Sequence, residues 1–205
     1  MRRTTMLLAL LVPVFLINAT NAFAWDGKRK GFIIGVGAGG GLASYKPYVI
    51  FADNETSEGE RTSKFAFMSD FKIGFAPSNQ VALYWMSKVA WFGYTLEYHD
   101  QFIDIRQSYT IANGIGGVGC AYYFQPEGPS PYVTAGLGFS SWDAPFEENS
   151  DGITGSGFVL GAGYEFSKHW SLEGNLTWGS PNEKDDEELG FKTLAVRITV
   201  NVLGY

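Results

Sequence analysis

The side chains that most readily do chemistry at neutral pH are few in this 205-residue chain: two histidines, His99 and His169, and one cysteine, Cys120. A nucleophile needs an adjacent base. Only His99, with Asp100 and Ser108 near it in sequence, offers such a grouping. Cys120 has no partner ligands at metal-site spacing, and neither histidine has a second ligand in a recognisable pattern, so no metal or cofactor is expected. A second set of charged residues stands out more clearly. Asp70, Lys72, Lys88, Glu165, Glu173 and Arg197 each occupy alternate positions in stretches that are otherwise aromatic or aliphatic. Both signs are present in near balance. In a dry soluble core such charges are very costly unless paired. Inside a narrow barrel they could pair as a plug or line an ion path, and the plug is the favoured reading.

The elements that must position them are strands. From Gly157 to Gly179, Phe158, Leu160, Ala162, Tyr164 and Phe166 alternate with Val159, Gly161, Gly163 and Glu165. After Ser167-Lys168-His169, Trp170, Leu172, Gly174, Leu176 and Trp178 alternate with Ser171, Glu173, Asn175 and Thr177. This is a β-hairpin with one apolar face bracketed by aromatics and one small or charged face. A transmembrane barrel turns the apolar face to lipid and the polar face inward.

The same period runs along the chain. Strands are expected at 31–43, 64–76, 81–91, about 110–124, 131–142 and 193–202, in addition to the hairpin. That makes eight. The glycine-rich first strand, GFIIGVGAGGGLA, offers no apolar volume for a core, but its glycines leave room for large side chains across a narrow barrel. It is not read as a dinucleotide loop, because no helix follows. Gly116-Gly117 is expected to be a bulge that switches the phase of the fourth strand. Residues 92–109 read as a hairpin protruding beyond the membrane, with a loop as the alternative.

Connections alternate in length. Those at 77–80, 125–130 and 167–169 are short, while 44–63, 92–109, 143–154 and 180–191 are long and mostly polar or acidic. Short periplasmic turns and long external loops follow this parity. Aromatics collect at the short-turn end: Phe32, Phe75, Tyr123, Phe124, Tyr132, Tyr164, Phe166, Trp170 and Tyr205. They read as one interfacial girdle, and Trp85, Trp91, Phe139, Trp142 and Trp178 as the other.

Residues 1–24 read as a signal peptide: Arg2-Arg3, an apolar run from Met6 to Ile17, and Ala22-Phe23-Ala24 as an A-x-A cleavage site. Residues 25–205 would then form one barrel domain. Loss of Arg2 and Arg3 takes the formal charge from −6 to about −8. No apolar run of helix-spanning length follows the signal. An acidic chain without basic clusters argues against nucleic acid as a partner.

GAGYEFSKHWSLEGNLTWG (161–179), YVTAGLGFS (132–140) and a terminal strand ending in an aromatic together resemble small outer-membrane β-barrels of the OmpA/OmpX/opacity-protein type in Gram-negative bacteria. One departure concerns Tyr205, whose odd number puts it out of phase with the even-numbered outward set, so Gly204 is expected to break the register. The resemblance implies an all-β, eight-stranded antiparallel up-and-down transmembrane barrel in the outer membrane, inserted by the outer-membrane assembly machinery. It also implies contact with lipid and lipopolysaccharide, and a non-catalytic role in envelope structure, adhesion or limited permeation. Tyr94, Tyr98 and Phe102 are the candidate external contacts for a surface or host partner. Acidic loop residues such as Glu147, Glu148, Asp151 and Asp185 to Glu188 read as solvated, with cation bridging to lipopolysaccharide as the alternative. Two other functions are weighed. A lipid A-modifying barrel enzyme would need a site around His99, yet the H-x-S-N motif of lipid A deacylases is absent. A soluble exported barrel binding an apolar ligand would need an apolar interior, which the inward glycines and charges do not supply.

Overall fold

The computed structural model describes residues 28–51, 56–99, 104–147, 150, 152–183 and 188–205, and for 96–99, 104–107 and 188 the backbone alone. The leader at 1–24, Asp100, Phe102, Glu148, Asp151 and Asp185 to Glu187 lie outside the described residues. Among the described residues nine strands form: β1 (Gly31–Ile50), β2 (Thr56–Glu58), β3 (Thr62–Ala76), β4 (Val81–His99), β5 (Asp104–Tyr123), β6 (Ser130–Asp143), β7 (Ile153–Ser167), β8 (Trp170–Asn182) and β9 (Glu188–Gly204). Eight of them pair antiparallel in chain order, and β9 returns to β1 from Ile34↔Gly204 to Ile50↔Glu188. The eight close into a barrel. β2 is an extra strand, pairing Tyr48↔Glu58 to Ile50↔Thr56 above the rim.

Alternation decides which side each residue faces. On β3, Phe65, Phe67, Phe71 and Phe75 face outward, and Phe65 is 87% exposed. Between them Ala66, Met68, Asp70 and Lys72 are buried inside. The hairpin of β7 and β8 follows the same rule: Phe158, Leu160, Tyr164, Phe166, Trp170, Leu172 and Leu176 are exposed, while Val159, Glu165, Glu173 and Asn175 are buried. A water-soluble barrel would not bare so large an apolar surface. Glycine makes the interior fit. A Cβ on Gly119 would lie 2.7 Å from Cε2 of Tyr84, and one on Gly41 would lie 2.8 Å from Cε of Met68.

Four expectations change. The strands on the long-connection side run much further than the apolar alternation, because polar residues there continue the pairing. β1 extends from Ala43 to Ile50, and β4 and β5 pair out to His99↔Asp104. Residues 92–99 and 104–109 thus form the paired arms of a protruding hairpin: β3 leaves β4 at Phe67↔Trp91, and β6 reaches β5 only up to Ala112↔Asp143.

Gly116 and Gly117 form no bulge; Ser87↔Gly116↔Phe139 and Met86↔Gly117↔Gly138 keep register on both sides. Ile111 and Ile115 are buried in the lumen, so an apolar row that changes sides only looks like a change of phase. The register shift among the described pairs lies between Glu165 and Ser167.

Gly204 does not break the last strand either. It pairs with Ile34, and Tyr205 continues the inward phase, buried in the lumen.

The girdles are thinner than expected. Tyr123, Tyr132 and Tyr205 turn inward, as does Trp142, leaving Phe32, Phe75, Phe124, Tyr164, Phe166 and Trp170 outside at the short-turn end. Parity on each strand, not ring chemistry, set these positions.

Candidate functional site

The lumen is filled in three layers, each built by inward residues of several strands. The middle layer is ionic. Asp70 on β3 accepts from Arg197 Nη2 at 2.5 Å, from Lys88 Nζ at 3.0 Å and from Thr199 Oγ1 at 2.9 Å. Glu173 on β8 accepts from Lys88 Nζ at 2.8 Å, Lys72 Nζ at 2.5 Å, Tyr132 Oη at 2.8 Å and Asn175 Nδ2 at 2.9 Å. Lys88 therefore links the two carboxylates. All five charged side chains are buried, with Lys88 and Arg197 at 1% exposure and Glu173 at 0%. Each carboxylate holds several donors, which is what a buried charge requires. Among the described residues, Arg197 Nε and Asn175 Oδ1 are the buried side-chain polar atoms left without a hydrogen bond.

Glu165 is not part of this belt. It lies nearer the short turns, where Arg29 Nε donates to its Oε2 at 2.8 Å and Nη2 to its Oε1 at 3.1 Å. Tyr205 Oη adds a bond of 3.2 Å. Arg29 also caps the turns, donating from Nη1 to the carbonyls of Asn79 and Gln125, both at 2.9 Å, and its guanidinium sits 4.1 Å from the centre of the Tyr123 ring. Tyr84, Tyr123 and Tyr132 fill the space between this latch and the belt. Alternation gives no signal for Arg29, because it precedes the first strand.

The third layer closes the outer mouth. Tyr45, Phe92, Trp142 and Phe191 pack together, with Trp142 stacked on Phe191 at 4.2 Å and 6°, and Tyr45 stacked on Phe92 at 5.8 Å and 13°. Tyr94 joins it, 6.2 Å from Tyr45. Of the three candidate external contacts, Tyr94 is thus committed to the mouth, Tyr98 is described in backbone only, and Phe102 lies outside the described residues. Parity signalled this layer, since Tyr45, Phe92 and Trp142 all fall on inward positions.

Between Lys72, Tyr84 and Tyr132 the lumen keeps a void of about 10 Å³, roughly the space of one water. The two histidines stand at opposite ends. His169 sits in the β7–β8 turn at a φ of 69°, its Nδ1 2.8 Å from the carbonyl oxygen of Leu203. His99 ends β4 beyond the other mouth.

A closed barrel that bares apolar residues around its girth and buries ion pairs in its lumen inverts the pattern of a soluble protein. The protein is a small, closed eight-stranded β-barrel whose apolar outer girth suits a lipid bilayer. Residues 125–205, from the β5–β6 turn through β9, match the outer membrane protein beta-barrel domain family. No curated relative matches the chain. Among solved structures it is similar to the outer membrane protein OprG from Pseudomonas aeruginosa, at 14% identity and a TM-score of 0.49, over 87% of this chain and 98% of that one. Ail, the attachment invasion locus protein of Yersinia pestis, solved with the heparin analogue sucrose octasulfate, is similar at 12% identity and a TM-score of 0.40, over 83% and 99%. Neisserial surface protein A is similar at 15% identity and a TM-score of 0.39, over 82% and 96%.

Proposed function

We propose that this barrel serves the outer membrane as a sealed, non-catalytic element that presents its long rim to the exterior and does not act as a pore. The observation that carries the reading is the filled lumen: an ion-pair belt between a tyrosine layer latched by Arg29–Glu165 and an aromatic layer around Trp142. An ion crossing it would have to displace several buried bonds to charge at once, each of order 1.5–3 kcal/mol. The protruding β4–β5 hairpin is the part of the rim placed to meet a surface partner. Export by the leader at 1–24 and insertion by the outer-membrane assembly machinery belong to the same reading.

Purified protein refolded in detergent tests it. The folded barrel should migrate faster than the boiled chain on gels, and in planar bilayers it should give no steady channel currents. Stable single-channel openings of the wild type would sink the sealed-barrel reading. Deleting residues 94–107 should weaken attachment to whatever surface the rim contacts while leaving the heat-dependent shift intact.

A further inference from the structure

We propose that the void beside Lys72 binds one small monovalent anion, a halide ion, as the counter-charge of the central belt. The site needs the packed lumen but no particular role in the membrane.

Register builds it. Leu203, Gly35 and Lys72 lie side by side across β9, β1 and β3. Gly35 carries no side chain, so the Lys72 stem has room beside it. Ala82 on β4 pairs directly with Ala121 on β5, and both are buried inward. Ser171 on β8 pairs directly with Asn201 on β9, and both are buried as well. These small groups border a space that the rings of Tyr84, Tyr123 and Tyr132 do not fill. It measures about 10 Å³, and its polar lining is Lys72, Ser171, Asn201 and the three tyrosines.

Charge decides what suits that space. Lys72, Lys88 and Arg197 stand against Asp70 and Glu173, one positive charge in excess among the described residues. Arg29 and Glu165, nearer the turns, balance each other. Among the described residues that line the void there is no carboxylate. Lys72 is also the least enclosed of the three belt cations, 7% exposed against 1% for Lys88 and Arg197. Its bond to Glu173 Oε2 uses one of three N–H donors. The Ser171 and tyrosine hydroxyls are further groups of a kind that can donate to an anion.

Size then selects among anions. Phosphate, sulfate, nitrate and carboxylates each have several heavy atoms and exceed a space that suits one water. A single-atom anion fits. A water molecule would fill the same space but leave the buried excess charge uncompensated, which is costly away from solvent.

The test uses the whole barrel refolded in zwitterionic lipid vesicles, with chloride exchanged stepwise for gluconate at constant ionic strength. A ligand that binds only the folded state raises the folding equilibrium constant in proportion to its concentration, once above its dissociation constant. In urea, the wild type should therefore gain up to about tenfold in that constant for each tenfold rise in chloride. Crystals grown in chloride and measured at long wavelength should show an anomalous peak at bonding distance from Lys72 Nζ. K72M removes the cation and should lose both the peak and the chloride dependence. A121V fills the space with every charge kept, and should lose both too. Wild-type unfolding that is indifferent to chloride overturns the proposal, as does an anomalous map without a peak at Lys72. Chloride dependence retained in K72M or A121V also overturns it, because the ion then acts elsewhere on the protein. The wild-type map decides the matter even if neither variant folds.

Discussion

Arg29 Nε donates to Glu165 Oε2 at 2.8 Å, tying the segment before β1 to the turn end of β7. Both side chains are almost wholly buried, so their pairing is unlike the exposed ion pairs that contribute little. Removing one partner of a buried pair leaves an uncompensated charge. R29A should lower the stability of the folded barrel by about 3 kcal/mol, measured by urea unfolding in lipid vesicles. The double replacement R29M/E165M should recover much of that loss, because no charge is then stranded. A double replacement as unstable as R29A would show that the latch works through shape alone.

Lys88 should be the most sensitive member of the central belt. It alone touches both Asp70 and Glu173. K88M leaves each carboxylate with one other cation, Arg197 or Lys72, and removes the bridge. A loss of about 3 kcal/mol or more is expected in the same unfolding assay. K72M should cost less, since Lys72 meets one carboxylate only.

Trp142 and Trp178 distinguish the two sides of the wall. Trp142 is 9% exposed and stacked in the lumen, whereas Trp178 lies on the outer face against Phe158. In variants keeping one tryptophan, lipids brominated on their acyl chains should quench Trp178 and leave Trp142 nearly unquenched. W142A should also cost about 3–5 kcal/mol through the cavity it opens. Strong bromolipid quenching of Trp142 would place it outside and undo the mouth layer.

Glu58 supplies a pH signature above the membrane. Hydrogen bonds from Lys192 and then Lys46 pull its carboxyl down to about 2. A carboxyl whose folded value lies below its unfolded one adds stability at pH above the ordinary carboxylate range, and that addition is lost as pH falls toward 2. The bond from β2 to Lys46 and Lys192 should therefore persist at pH 4 and release near pH 2, followed by the carboxyl carbon shift of Glu58 in NMR. A midpoint near 4.5 would mean that the two lysines do not hold it.

Much of this was legible from alternation. Asp70, Lys72, Lys88, Glu173 and Arg197 fall on inward positions of their strands, and the structure brings all five into one belt. What alternation could not give was partnership across the lumen, which depends on the height at which each strand crosses the barrel. Glu165 therefore pairs with Arg29, a residue outside any strand and without periodicity, and not with the belt. The aromatic layers were misread for a different reason. Tyr132, Tyr205 and Trp142 have the chemistry of interfacial rings, but their parity points them inward, and parity prevails because a strand cannot turn one side chain over without a bulge. Ile111 and Ile115 show the converse: apolar residues can face a lumen that holds apolar layers as well as charges.

The belt has one electrical consequence. Among the described residues Lys72, Lys88 and Arg197 pair with Asp70 and Glu173, so the belt carries one positive charge more than it balances, at the centre of the lumen. Tyrosines pack beneath it and stacked rings above. A hydronium or metal ion entering from either leaflet would meet that charge at low dielectric, where repulsion is many times stronger than in solution. Any leak through a variant with a loosened tyrosine or aromatic layer should therefore favour anions over cations.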